Sequence, residues 1–146
     1  MIKYLKYFLP LFIFQLSLAS FSSVGSIPIE HYEAIVIGKM ISQKVKKINN
    51  YYVTEYKLKP EEWLFKKTAI KKTKYIKIKI LGADLPKKGI IIKSSVSPEY
   101  VPMNKEAIFF LEKTIKKEKK IFTISKGGII MDLNMKTEIL KKELEL

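Results

Sequence analysis

His31 is the only histidine in the chain, and Glu30 and Glu33 stand beside it in "IEHYE". An imidazole near two carboxylates is metal-binding chemistry. A closed metal site takes four ligands, however, and no cysteine is present to supply more. His31 is therefore expected to be an exposed histidine in a leading segment. A Ser-His-Asp triad would have to join His31 to Asp84 or Asp132, the only aspartates. No Gly-x-Ser-x-Gly elbow supports one. Glu61 and Glu62 are adjacent, and adjacent residues of a strand point to opposite faces. That suits solvation better than shared acid–base work. "LPKKGIIIKSS" sets lysine and serine near glycine, without the Gly-x-x-x-x-Gly-Lys spacing that wraps phosphate. No nucleophile, base and orienting group can be named together, so the expectation is a protein that is not an enzyme and uses no cofactor or metal.

The constellation that remains is basic and aromatic. Lys46, Lys47, Tyr51, Tyr52, Tyr56, Lys77 and Lys79 are the candidate binding residues. Aromatic faces stack on bases or sugars and lysines neutralise phosphates, so the candidate ligand is a polyanion: nucleic acid, acidic glycan or anionic lipid. The alternative is structural. Tyr52 and Tyr56, on one face of a strand, pack a core or a barrel rim, and alternating lysines mark a wet strand face that blocks edge aggregation. Composition leaves both open. All 28 basic residues are lysine, and the formal charge is +14. Lysine in place of arginine follows the codon usage of an AT-rich genome, which does not explain the surplus over acids. A surplus of this kind favours acidic partners and also keeps a protein soluble. The absence of arginine argues against bidentate, sequence-specific reading of bases.

The first residues look like an address. Lys3 and Lys6 precede the apolar run "FLPLFIFQLSLA", and Ser17-Leu18-Ala19 supplies small residues for a peptidase. That order predicts a secretory signal peptide over 1–19, cleaved after Ala19 or at Ser22. The run is broken by Pro10 and Gln15 and is short of the roughly 20 residues that span a bilayer. The expected location is secreted or periplasmic, with no transmembrane anchor and a partner in the envelope or outside the cell.

Several segments read as strands. "EAIVIGKMIS" is rich in β-branched residues, with Gly38 predicting a bulge and Lys44–Lys47 a wet extension. Asn49-Asn50 predicts a turn. "YYVTEYKLK" alternates with period two, Pro60 predicts a bulge or edge, and "EEWLF" resumes the strand. After a loop over 66–74, "YIKIKIL" alternates isoleucine and lysine, with Ile76, Ile78 and Ile80 inward. A loop over 82–89 follows, then the short strand "IIIKS" and an irregular stretch holding Pro98 and Pro102. "AIFFLEK" is the most apolar strand, and "IFTIS" its hairpin partner. The tail "NMKTEILKKELEL" changes period and predicts a weakly amphipathic helix, capped by Asp132 or Asn134, with Glu138 paired to Lys142. The organisation is then signal peptide 1–19, linker 20–32, β-domain 33–131 and helical tail 132–146. Five or six short strands with little helix close most economically into a barrel, which buries one face and removes edges. The expected fold is mainly all-β, a small five- to six-stranded OB-like barrel with a short C-terminal helix.

"IVIGKMIS", "YYVTEYKLKPEEWL", "YIKIKILGAD" and "VSPEYVPMNKEAIFFLEK", in that order, resemble a family of small secreted bacterial proteins whose function is not established. The resemblance runs from about Ile35 to Met131. It implies an OB-type barrel, close in shape to the netrin-like and metalloproteinase-inhibitor modules, and an export route. It implies no activity. The family's glycine pair is Gly82-Ala83 here, its Val-x-Gly-x-Pro-x-Phe segment is Val96-Ser97-Pro98-Glu99-Tyr100, and its Gly-Glu turn is Lys105-Glu106. Metalloproteinase inhibitors reach the metal with an N-terminal cysteine, which this chain lacks.

Overall fold

The computed structural model describes residues 27–114 and 120–145. The expected signal peptide, most of the expected linker and residues 115–119 lie outside them. Two long strands begin the fold, β1 (Ala34–Ile48) and β2 (Tyr51–Lys66). They pair antiparallel along their length around Asn49, whose φ of 52° makes the turn. β3 (Ile76–Leu85) follows the lysine-rich loop, and β4 (Ile90–Lys93) folds back on its end. β5 (Glu106–Lys113), β6 (Ile121–Thr123), β7 (Ile129–Ile130) and helix α1 (Met135–Leu144) complete the chain.

Hydrogen bonds run β1-β2-β3-β6-β5 and return from β5 to β1, so five strands form a ring. The β3–β6 pairing is parallel, while the other pairs of the ring are antiparallel. This is the expected OB-like barrel. β4 stands outside the ring on β3, and β7 pairs with β5.

Alternation fills the barrel. Val36, Met40, Leu58, Ile76, Ile78, Ile80, Phe109 and Leu111 are buried in one inner cluster. β5 is buried on both faces, because Ile108 and Phe110 join a second cluster outside the ring. Ile35, Ile37 and Leu64 form the floor of that cluster, and Ile29 and Ile139 cover it. Two expectations change here. The end of the segment read as linker is packed, since Ile29 lies in a short 3-10 turn and is buried. The tail helix is docked too, through the fully buried Ile139. The expected Glu138–Lys142 pair is not made among the described residues. The Lys142 amine instead donates to the Ile27 carbonyl at 3.3 Å, and Lys136 pairs with Glu62 at 2.7 Å. Asn134 precedes the helix without a side-chain cap; its own N–H donates to the Asp132 carboxylate at 2.9 Å.

The bulge residues act as expected. The β1–β2 register shifts at Gly38, which faces Pro60. A proline has no N–H to donate, and a bulge is where a strand tolerates that loss. A side chain at Gly38 would run into the Lys59 carbonyl. The third strand is longer than its alternation predicts. It continues through Gly82 to Leu85, where a loop was expected, because it changes partner. Leu81 is the last residue on β2, and Gly82 is the first on β4. Gly82 makes the switch at φ 114°. The Thr54 hydroxyl donates to the Gly82 carbonyl at 2.9 Å and fixes the corner.

Candidate functional site

The candidate residues lie on the three-stranded block where β1, β2 and β3 run side by side, and its register decides which of them meet. Residues directly opposite on paired strands share a face. Tyr56 faces Ile78, Leu58 faces Ile76 and Thr54 faces Ile80, so these point to the barrel interior. Lys57 faces Lys77 and Glu55 faces Lys79 on the outside, and Val53, which is buried, faces Leu81 on the same side of the strands. On β1, Lys46 faces Val53 and Lys44 faces Glu55, so both are on the outside as well.

The seven candidates therefore divide. Lys46, Tyr51, Lys77 and Lys79 share the outer face. Lys47, Tyr52 and Tyr56 take the inner side of their strands, with Lys47 over the Tyr52 ring at 5.8 Å. Tyr56 packs against the inner core. Burial pushes its phenol above the usual tyrosine range, and the nearby Asp84 carboxylate adds to the shift. A single platform of all the tyrosines and lysines is not formed, because Tyr51 and Tyr52 are adjacent and alternate.

The outer face gains residues that the sequence did not single out. Lys44 and Lys57 belong to it by register. Tyr75 joins from the end of the loop, with the Lys57 amine 4.1 Å from its ring centre and Lys74 at 5.5 Å. Where β1 and β2 run beside β3, the face carries Lys44, Lys46, Lys57, Lys77 and Lys79 against one acid, Glu55. Lys46 pairs with that acid at 2.6 Å. Lys57 could have been found from the odd positions of "YYVTEYKLK", but only the β2–β3 register shows which lysine it faces.

The remaining chemistry is dispersed. His31 is exposed at the end of the 3-10 turn. Among the described residues, no group of three or more histidines, aspartates and glutamates is placed to hold a metal ion. Glu33 is buried and structural: Lys67 reaches its carboxylate at 2.9 Å and Lys113 at 3.7 Å. Glu61 holds Lys39 at 3.1 Å, and this hydrogen bond raises the lysine's pKa. No described helix is long and apolar enough to cross a membrane.

Fold and face together define the class: an OB-like barrel with a lysine-covered outer sheet. No protein-family model matches the chain, and the search of curated proteins finds no match.

Proposed function

We propose that the chain is an exported, non-enzymatic binding protein of the cell envelope or exterior, and that the outer face of β1, β2 and β3 takes a polyanionic ligand. The observation that carries this reading is the direct opposition of Lys57 and Lys77 on a face with one acid. Like charges directly opposite destabilise a sheet, and a polyanion laid across them turns the cost into attraction. OB barrels commonly bind along the face of the second and third strands. The basic, apolar and small-residue order of residues 1–19, with the resemblance to secreted proteins, supports export.

The test is a salt titration of binding to a model polyanion, double-stranded DNA or heparin. Affinity falls steeply with salt through counterion release, and Lys77→Glu with Lys79→Glu weakens it. Salt-insensitive binding, or none at low salt, removes the polyanion reading. The broader reading, an envelope or extracellular protein partner, would then be tested by pull-down from the native envelope at two salt concentrations.

A further inference from the structure

The β2–β3 register places two hairpin ends together. β2 starts at Tyr51, just after the β1–β2 turn, and its Val53 lies opposite Leu81. There β3 leaves β2 and runs on into the hairpin with β4. The β1–β2 turn and the β3–β4 hairpin thus project from one end of the barrel. That end is apolar and exposed. Ile91 is 64% exposed, Val96 58% and Ile92 43%, with Tyr51 and Leu81 exposed beside them. Ile91 and Ile92 are adjacent on a strand, so both faces of the hairpin carry isoleucine. The Ser97 hydroxyl donates to the Leu81 carbonyl at 2.9 Å and holds the Val96 segment against the same end.

Lysines surround this patch. Lys87 and Lys88 occupy the β3–β4 turn and Lys93 ends β4, all exposed. Lys46 and Lys47 come from the other hairpin. The acids here are Asp84, Glu55 and Glu99; Glu55 is held by Lys46, and Glu99 by Lys126, whose backbone N–H donates to the Val96 carbonyl.

We infer that this end of the barrel docks on the surface of an anionic lipid bilayer, with Ile91 and Ile92 at the boundary between headgroups and acyl chains. The inference rests on the polyanion reading, names the polyanion, and adds the barrel end to the outer face as a contact surface, with Lys46 common to both. Lysines next to exposed aliphatic side chains match a surface that is anionic outside and apolar beneath. Nucleic acid matches less well, because Ile91, Ile92 and Val96 offer no ring on which a base can stack and Tyr51 stands at the margin of the patch. The depth is limited by the backbone. Among the described residues β4 pairs only with β3, and a sheet edge with unpaired N–H and C=O groups cannot enter hydrocarbon. The hairpin therefore rests at headgroup level.

The chain has no cysteine, so Ile91→Cys carries a polarity-sensitive NBD label at a single place. Because the readout is local, the apolar N-terminal segment of the full chain cannot imitate it. Thr137→Cys, exposed on α1, carries the control label. Vesicles of equimolar phosphatidylcholine and phosphatidylglycerol should shift the emission of the label at 91 to the blue and leave the label at 137 unchanged. Pure phosphatidylcholine should shift neither label. The double change Lys87→Ala, Lys88→Ala should weaken the response roughly 30-fold, from the typical contribution of a lysine near an anionic surface. A blue shift on pure phosphatidylcholine, or vesicle binding with no change at 91, overturns the inference. Binding to double-stranded DNA without response to vesicles overturns it too and leaves the polyanion face standing. Failure with both ligands removes both.

Discussion

Lys57 of β2 and Lys77 of β3 stand directly opposite each other on the outer face of the barrel. The Lys57 amine has turned onto the Tyr75 ring, 4.1 Å from its centre, which gives the cation a partner that is not an acid. This pair couples stability to binding with opposite signs. Lys77→Glu replaces a repulsive cross-strand pair with an attractive one and should stabilise the fold by about 0.2–1 kcal/mol. The same change should weaken polyanion binding and lower its salt slope by more than one phosphate contact. Urea unfolding and a salt titration of one variant check both signs. A variant that loses stability and binding together would mean that the lysines serve the fold alone.

Gly82 is the second test. Its φ is 114°, and a Cβ there would lie 2.5 Å from the Ile92 carbonyl oxygen. Gly82→Ala should cost at least about 1–3 kcal/mol, from backbone strain before the clash is counted. Gly127, at φ 80° with open space around it, is the control: its alanine variant meets strain without a clash and costs about 1–2 kcal/mol. Equal losses in denaturant unfolding at the two sites would remove the role assigned to the partner switch.

The two cores should answer differently to truncation. Phe109 is fully buried inside the ring, and Phe109→Ala should cost about 3–5 kcal/mol. Ile139 is fully buried outside it, and Ile139→Ala should cost about 2–5 kcal/mol. The Ile139 variant should also release α1 while the strands persist. Far-ultraviolet circular dichroism with hydrogen exchange on the β1–β5 amides separates the outcomes. Loss of strand protection in the Ile139 variant would show that the outer cluster holds the ring closed.

Alkaline pH should loosen the fold through Tyr56. Burial, followed by the Asp84 charge, raises its folded pKa above the ordinary 10.0. The unfolded chain then gives up this proton first as pH rises. The stabilisation is complete below pH 10 and is lost between pH 10 and the raised folded value. Tyr32 shifts the same way, again chiefly by burial. Tyr56→Phe should flatten the fall of melting temperature above pH 10 without abolishing it. An unchanged slope would remove Tyr56 from the pH response.

Local chemistry made most of the barrel legible in the sequence. Period-two alternation located Ile76, Ile78 and Ile80, and β-branched density located β1. Asn49, Gly38 and Pro60 announced a turn and a bulge by what their backbones can and cannot do. Long-range pairing was hidden. Nothing near Gly82 in the chain says that its strand exchanges β2 for β4, so "GADL" read as a loop. The docking of Ile139 was hidden for the same reason, since the surface that covers it comes from β1, β2 and β5. The candidate face was half legible. Alternation gave each strand two sides, but only the register showed that Tyr56 turns in while Lys57 and Lys77 turn out together.

The pairing of Ile37 with Ile108 has a temporal consequence. β1 is among the first strands to be synthesised, and the partner for its second edge is among the last. Loop-closure entropy makes such distant pairings slow to form. The β1–β2 hairpin can therefore assemble early, but its apolar inner side stays uncovered until β5 arrives. On the export route proposed above, this late closure would be useful: the step that locks the barrel waits until β5 and β6 have emerged.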